Sequence, residues 1–319
     1  MPDIALFGAS GAIGQSIVTA FRQQSRNYRV VGRSRSSLET SFGHDPLAEL
    51  VTWNPDDPGS VRQAVEGVRT IIYLVGVPYN HFQLHPQLMR QTLEGATAAG
   101  VENFLLIGTV YPYGLPHTTP VKEDHPREPH TFKGRMRKEQ EDLLLGAEAQ
   151  GRIRASILRL PDFYGPGVEK SFLDSLFKAA ATGGRAQMIG PIDTPHEFVF
   201  VPDVGPVVAA LISEPRAWGK TWHLAGPGTI TQREAIEKVF AMSGHGPRYM
   251  VAGKTMLRIL GLFNSMLREL VEIHYLLTNP IIMDDSALRS LLPTLRKTPY
   301  ADGFRQALEA AGSASRAAR

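Results

Sequence analysis

The stretch Ile4-Ala5-Leu6-Phe7-Gly8-Ala9-Ser10-Gly11-Ala12-Ile13-Gly14 decides how this chain is read. Its first four residues form a short apolar run, and Ile13, Ile17, Val18 and Phe21 follow at helical spacing. A strand that feeds a helix through such a turn makes a pocket for a dinucleotide. Gly8 permits the tight turn, Gly11 lets the backbone approach a pyrophosphate, and Gly14 lets the helix pack closely on the strand. Free amides and the positive end of the helix dipole then face the phosphate charge. The loop contacts expected from this pattern are Gly8, Ser10, Gly11, Ala12, Ile13 and Gly14.

Working outward, the first half of the chain alternates strands and helices. Strands are expected at Ile4–Phe7, Tyr28–Val31, Glu49–Trp53, Thr70–Val75, Phe104–Ile107 and Ala155–Leu160, with helices at 13–24, 59–67, 84–99 and 134–149. That rhythm predicts an α/β fold, a doubly wound parallel Rossmann-type sheet whose ligands bind beyond the carboxyl ends of the strands. After Gly165-Pro166-Gly167 the rhythm breaks. The segment 168–190 reads as helix and Gly-rich turn, Glu197–Val201 and Trp222–Leu224 as short strands, and Thr231-Gln-Arg-Glu234 as a capping box.

The expected division is a dinucleotide-binding domain over 1–165, joined again by 196–226, and a smaller substrate-binding lobe over 166–195 and 227–312. Residues 313–319 are small and polar and are expected to fray. The strongly apolar segment 249–278, with Lys254, Arg258 and Arg268 interspersed, reads as a core or lobe helix pair, with a membrane-surface helix as the alternative. Met250, Met256, Leu260, Phe263 and Met266 give the lobe adaptable apolar side chains.

The bulk properties narrow the partners. A chain of 319 residues with 43% hydrophobic content can bury a large core. Its 34 basic and 31 acidic residues are spread along the chain and leave a net charge of only +3, which marks no nucleic-acid surface. Without cysteine there are no disulfides, thiolate metal sites or cysteine nucleophiles. No apolar run approaches a membrane span, and the first strand begins too early for a signal peptide. The expectation is a cytoplasmic protein with a small-molecule substrate and no nucleic-acid or membrane partner. Two long helices would suit the seam of a homodimer, though nothing in the sequence requires one.

Further segments follow in order: Gly100-Val-Glu-Asn-Phe-Leu-Leu-Ile107 leading to Tyr113-Gly114, then Glu123-Asp-His-Pro126, Leu158-Arg-Leu-Pro161, Tyr164-Gly-Pro166, His196-Glu-Phe-Val-Phe-Val-Pro-Asp203 and Leu224-Ala-Gly226. With the glycine loop they resemble the extended short-chain dehydrogenase/reductase family, in its epimerase/dehydratase branch. The resemblance implies that Thr109 is the family's catalytic hydroxyl, able to stabilise charge developing on a substrate oxygen. It also implies a Tyr-x-x-x-Lys pair, and here this chain departs. Anchoring on Glu141 places Lys133 where the tyrosine belongs and Arg137 where the lysine belongs. Isoflavone-reductase-like members of the superfamily use such a lysine, so Lys133 is a candidate acid and Arg137 a holder of the nicotinamide ribose; a solvated basic helix face is the alternative. Tyr111 stands where sugar dehydratases carry an acid, and is a second candidate proton donor. The family's helix asparagine falls at His85; His81 and His85 are four apart, but no third metal ligand is placed, so no metal is expected.

The second strand ends Val31-Gly32-Arg33-Ser34-Arg35 with no carboxylate. Two guanidiniums and a hydroxyl suit a 2′-phosphate, which favours NADP(H). Asn54 is expected at the adenine amine and the small pair Val75-Gly76 at the adenosine ribose, with Pro55, Lys133, Leu160 and Phe163 as further cofactor contacts. The leading expectation is an NADP(H)-dependent oxidoreductase acting on a small, fairly apolar carbonyl or activated double bond. An NADP(H)-sensing protein without turnover comes second. A nucleotide-sugar epimerase or dehydratase comes third, because the family's phosphate-binding arginine is replaced by His196.

Overall fold

The computed structural model describes residues 2–169 and 171–317; the side chains of Pro58, Met266 and Ala317 lie outside the description. Seven parallel strands form the central sheet. In chain order the elements are β1 (Ile4–Phe7), α1 (Ala12–Gln23), β2 (Tyr28–Gly32), α2 (Arg35–Phe42), β3 (Ala48–Thr52), α3 (Pro58–Ala64), β4 (Thr70–Tyr73), α4 (Leu84–Ala98), β5 (Asn103–Thr109), α5 (Phe132–Ala149) and β6 (Arg154–Leu160). Then come β7 (Asp162–Tyr164), α6 (Asp174–Thr182), β8 (Ala186–Ile189), β9 (His196–Phe200), α7 (Val201–Leu211) and β10 (Lys220–His223). The rest is β11 (Thr229–Ile230), α8 (Gln232–Ser243), β12 (Tyr249–Ala252), α9 (Lys254–Gly261), α10 (Ser265–Ile273), α11 (Tyr275–Thr278), α12 (Ser286–Leu291) and α13 (Tyr300–Ala317).

The sheet runs β10-β6-β5-β4-β1-β2-β3. Its order reverses between β1 and β4, the place where a doubly wound sheet opens a crevice. Both faces of the sheet are covered by helices, so side chains that alternate between the faces are apolar on both in β1 and along Ile71–Tyr73 of β4. Ile4, Leu6 and Ile72 pack with α1 and α7 on one face, while Ala5, Phe7, Ile71 and Tyr73 pack with α3, α4 and α5 on the other.

Two glycines set the spacing around α1. A Cβ on Gly14 would lie 2.1 Å from the Ala9 carbonyl oxygen, and one on Gly205 of α7 would lie 2.1 Å from that of Ser16. Neither position tolerates a side chain, so helix, loop and second helix close on one another directly. Beyond the main sheet, β7, β9 and β11 make a three-stranded sheet and β8 pairs with β12. Phe177, Phe198, Phe200, Phe240 and Phe304 fill the core between them.

The capping box is present: Thr231 accepts the Glu234 backbone N–H at 3.1 Å, and Glu234 accepts that of Thr231 at 2.8 Å. α13 continues to Ala317 and is held by buried Phe304 and Ala307 in its first half; of the tail expected to fray, residues 318 and 319 lie outside the description. The apolar segment 249–278 is a strand and three helices rather than one helix pair.

Candidate functional site

At the carboxyl ends of β1, β4, β5 and β6 lies a cavity of about 700 Å³. Its outer end is the glycine loop. Gly8 sits at φ +86°, where a side chain would be strained, with the Leu74 carbonyl only 2.8 Å from an added Cβ. Gly11 and Gly76, in contrast, face open space, and Gly11 begins α1 with no side-chain cap on the helix. The first-turn amides of α1 therefore point at the cavity without an internal partner. Exposed main chain, a helix amino terminus and no obstructing Cβ fit a diphosphate. Gly8, Ser10, Gly11, Ala12, Ile13, Gly14, Val75, Gly76, Leu160 and Phe163 all line this space.

The remaining expected cofactor contacts lie outside the cavity wall. Ser34 caps α2, accepting the Ser37 N–H at 3.3 Å. Arg35 donates to Glu39 at 2.7 Å and to the Leu50 carbonyl at 2.8 Å, so its guanidinium is engaged. Arg33 is exposed on the loop just before the cap. The Asn54 side chain accepts the Asp56 N–H at 3.1 Å and closes its own turn, beside Pro55. Of the pair assigned to a 2′-phosphate, Arg33 is thus the side chain not tied to a neighbouring carboxylate.

The inner end carries the hydroxyls. Thr109 ends β5, and its Oγ1 accepts the Tyr111 N–H at a long 3.4 Å. The Tyr111 hydroxyl lies 3.4 Å from that of Tyr79, and its ring stacks on Phe82 with centroids 6.3 Å apart. Burial pushes the Tyr111 pKa well above the usual phenol value of 10.0, so the group stays protonated and can donate. Arg137 reaches the cavity wall and donates to His85 Nδ1 at 3.1 Å. Burial, and then the Arg137 charge, push His85 down to about 2, so it is a neutral acceptor. Among the described residues no group of side chains is arranged to hold a metal.

Lys133 requires a correction. Its side chain is 1% exposed and is not part of the cavity wall. Its Nζ donates to Glu269 at 2.5 Å and to Glu272 at 2.7 Å, both on α10, while its backbone N–H donates to Glu272 at 2.7 Å. Glu272 thereby also sits at the amino terminus of α5, where negative charge is favoured. Lys133 is therefore not on a solvated basic face but a buried clamp between α5 and the lobe, behind the cavity-lining rings of Tyr79 and Phe82 rather than in the wall itself.

A recess of about 180 Å³ extends the cavity between Tyr79, Tyr111, Phe172, Ile189, Leu270 and Ile273. Asp162 stands at its edge and shares a 2.7 Å hydrogen bond with Nε2 of buried His196. Sequence reading passed over Asp162, Tyr79, Phe82 and Glu169, all of which line the main cavity. Asp162 had a visible signal: it is the carboxylate between a strand end and the Tyr164-Gly-Pro166 turn.

A doubly wound sheet with an open glycine cradle at its order reversal defines a dinucleotide-binding α/β protein. The NAD dependent epimerase/dehydratase family matches residues 4–225, and the chain belongs to that family. Among solved structures it is similar to UDP-glucuronic acid 4-epimerase from Bacillus cereus in complex with NAD, at 15% identity and a TM-score of 0.80 over 98% of this chain and 99% of that one. It is also similar to dTDP-glucose 4,6-dehydratase from Streptomyces venezuelae, at 16% identity and a TM-score of 0.80 over 96% of each chain. A putative epimerase from Burkholderia cenocepacia shares 16% identity and a TM-score of 0.79 over 98% of each chain. At these identities the likeness is one of fold.

Proposed function

We propose that the protein is a nicotinamide-dinucleotide-dependent oxidoreductase, with NADPH its preferred partner, that reduces a small and largely apolar carbonyl or activated double bond. The observation that carries this reading is the inner wall of the cavity. Two hydroxyls, Thr109 and Tyr111, meet an aromatic and aliphatic recess beside the glycine cradle. The cofactor, when bound, supplies the hydride. Thr109 then donates its proton in a hydrogen bond to the substrate oxygen, where negative charge accumulates. Tyr111, kept protonated by burial and hydrogen-bonded to Tyr79, donates a second hydrogen bond to that oxygen, and the proton that completes reduction comes from water, because a buried phenol gives up its own proton poorly. Arg137, tethered to His85, orients the ribose. Leu270 and Ile273 exclude water from the apolar part of the substrate.

The second reading, a nucleotide-sugar epimerase or dehydratase, is favoured by family membership and by whole-chain likeness to enzymes solved with NAD. Two features weigh against it. A phenol whose pKa is raised this far is a poor base for an opening oxidation. A sugar diphosphate would also meet the carboxylates Asp162 and Glu169 on the wall, where among the described residues Arg137 is the one cation facing them.

The test follows NADPH absorbance with a panel of aliphatic and aromatic aldehydes, ketones and enones, beside a thermal-shift series with UDP- and dTDP-sugars. Turnover on the carbonyl panel is the expected result. Stabilisation of the cofactor-loaded protein chiefly by nucleotide sugars would reverse the order of the two readings. Tight NADPH binding without turnover on either series would favour a sensor.

A further inference from the structure

The tip of the α9–α10 hairpin, from Met256 to Phe263, carries the most exposed large apolar side chains among the described residues and plays no part in the site chemistry above. On α9 only Leu257 and Gly261 are buried, while Met256, Ile259 and Leu260 are exposed. The turn that follows puts Leu262 at 78% and Phe263 at 88% exposure. Isolated exposed leucines need no explanation, but a contiguous apolar tip does. The tip is held out by close packing rather than left loose: a Cβ on Gly261 would lie 2.9 Å from the Arg268 Cα, so the two helices cross nearly in contact.

Charge around the tip has one sign. From Gly244 to Arg268 the sequence contains no aspartate or glutamate, whereas Arg248, Lys254, Arg258 and Arg268 all fall within it. Lys254, Arg258 and Arg268 are exposed. The nearest acids along the chain, Glu269 and Glu272, lie at the base of the hairpin and turn inward onto Lys133. Exposed apolar side chains ringed by cations match a layer with an apolar interior and anionic head groups.

We propose that this hairpin is a membrane-docking tip: Leu262 and Phe263 enter the acyl boundary of an anionic bilayer, and Lys254, Arg258 and Arg268 meet its head groups. No helix among the described residues is long and apolar enough to cross a membrane, so the contact is peripheral. The base of the hairpin adds a consequence. Ser265 and Glu269 border a groove of about 400 Å³ with Gly76, Val77, Pro78 and Tyr79, and Tyr79 also lines the main cavity. An apolar molecule dissolved in the bilayer would leave it beside the cavity mouth.

The experiment needs no substrate. The full chain is sedimented with vesicles of phosphatidylcholine alone and with vesicles containing phosphatidylglycerol, in low and raised salt. Binding is expected with the anionic vesicles, weaker in raised salt. L262D/F263D and K254E/R258E should each weaken it at least about tenfold, from lost apolar burial and reversed charge respectively. Both variants change exposed side chains, and an unaltered NADPH-induced thermal shift verifies their folding. Absence of sedimentation, or sedimentation indifferent to phosphatidylglycerol, overturns the proposal. So does a concentration-dependent dimer that L262D/F263D dissolves, since a second copy would then cover the tip.

Discussion

Lys133→Met isolates the clamp between the two lobes. The substitution keeps the aliphatic packing against Tyr79 and Phe82, whose ring centroids lie 5.9 and 5.6 Å from the ammonium. It removes the cation between two carboxylates. Breaking a fully buried pair costs about 3–5 kcal/mol because the remaining charge is stranded. Here the Glu269 and Glu272 side chains are 20% and 25% exposed, so water recovers part of that loss. A net cost of about 2–3 kcal/mol remains. At about 2 °C per kcal/mol for a chain of this size, Tm should fall by about 4–6 °C. Differential scanning calorimetry of K133M and of K133M/E269Q/E272Q decides the matter, since the triple variant no longer strands the two charges and should recover most of the drop. An unchanged Tm in K133M together with lost turnover would refute the clamp and return Lys133 to the chemistry.

Three further outcomes are expected. Arg33→Ala should remove most of a roughly tenfold preference for NADPH over NADH, the worth of one charge-assisted phosphate contact; equal calorimetric affinities in the unsubstituted protein would end that reading. Thr109→Val and Tyr111→Phe should each lower kcat on any reducible substrate while leaving NADPH affinity intact, because both hydroxyls act as charge develops. Glu197 is buried, and burial raises its pKa from 4.5 to about 7. The folded state therefore binds its proton more tightly than the unfolded chain does, so ionisation costs stability, on the order of 3 kcal/mol, as pH rises across that interval. Glu197→Gln should accordingly raise Tm relative to the unsubstituted protein more at about pH 8 than at about pH 5; equal differences would show that the carboxyl is not held protonated.

What the sequence made legible was local. The run from Ile4 to Gly14 predicts strand, turn and helix because glycine geometry and apolar periodicity act within a few residues, and β1 and α1 lie where expected. The same holds for the capping box and for Thr109 at its strand end. The failures are long-range. The spacing Lys133-x-x-x-Arg137 survives, but its meaning depends on Glu269, 136 residues away, which no local pattern announces. Arg33 and Arg35 read as equivalents until α2 begins at Arg35 and gives that side chain a neighbour at Glu39. The strands β7, β8 and β12 are three or four residues long and pair with distant partners, so periodicity has too little length to act on.

The return of the chain to its first sheet has a consequence for synthesis. By the time Leu160 has emerged from a ribosome, six strands of the sheet exist, but β6 still presents an open edge that only β10 will cover. The outer face of α1 is equally bare until Gly205 arrives to meet Ser16. Between these events the whole of β7 to β9 must be made. The nascent protein therefore carries an unpaired strand edge and an uncovered helix through that interval, a state prone to mispairing with other chains. Cutting the gene near residue 165 would make that transient state permanent.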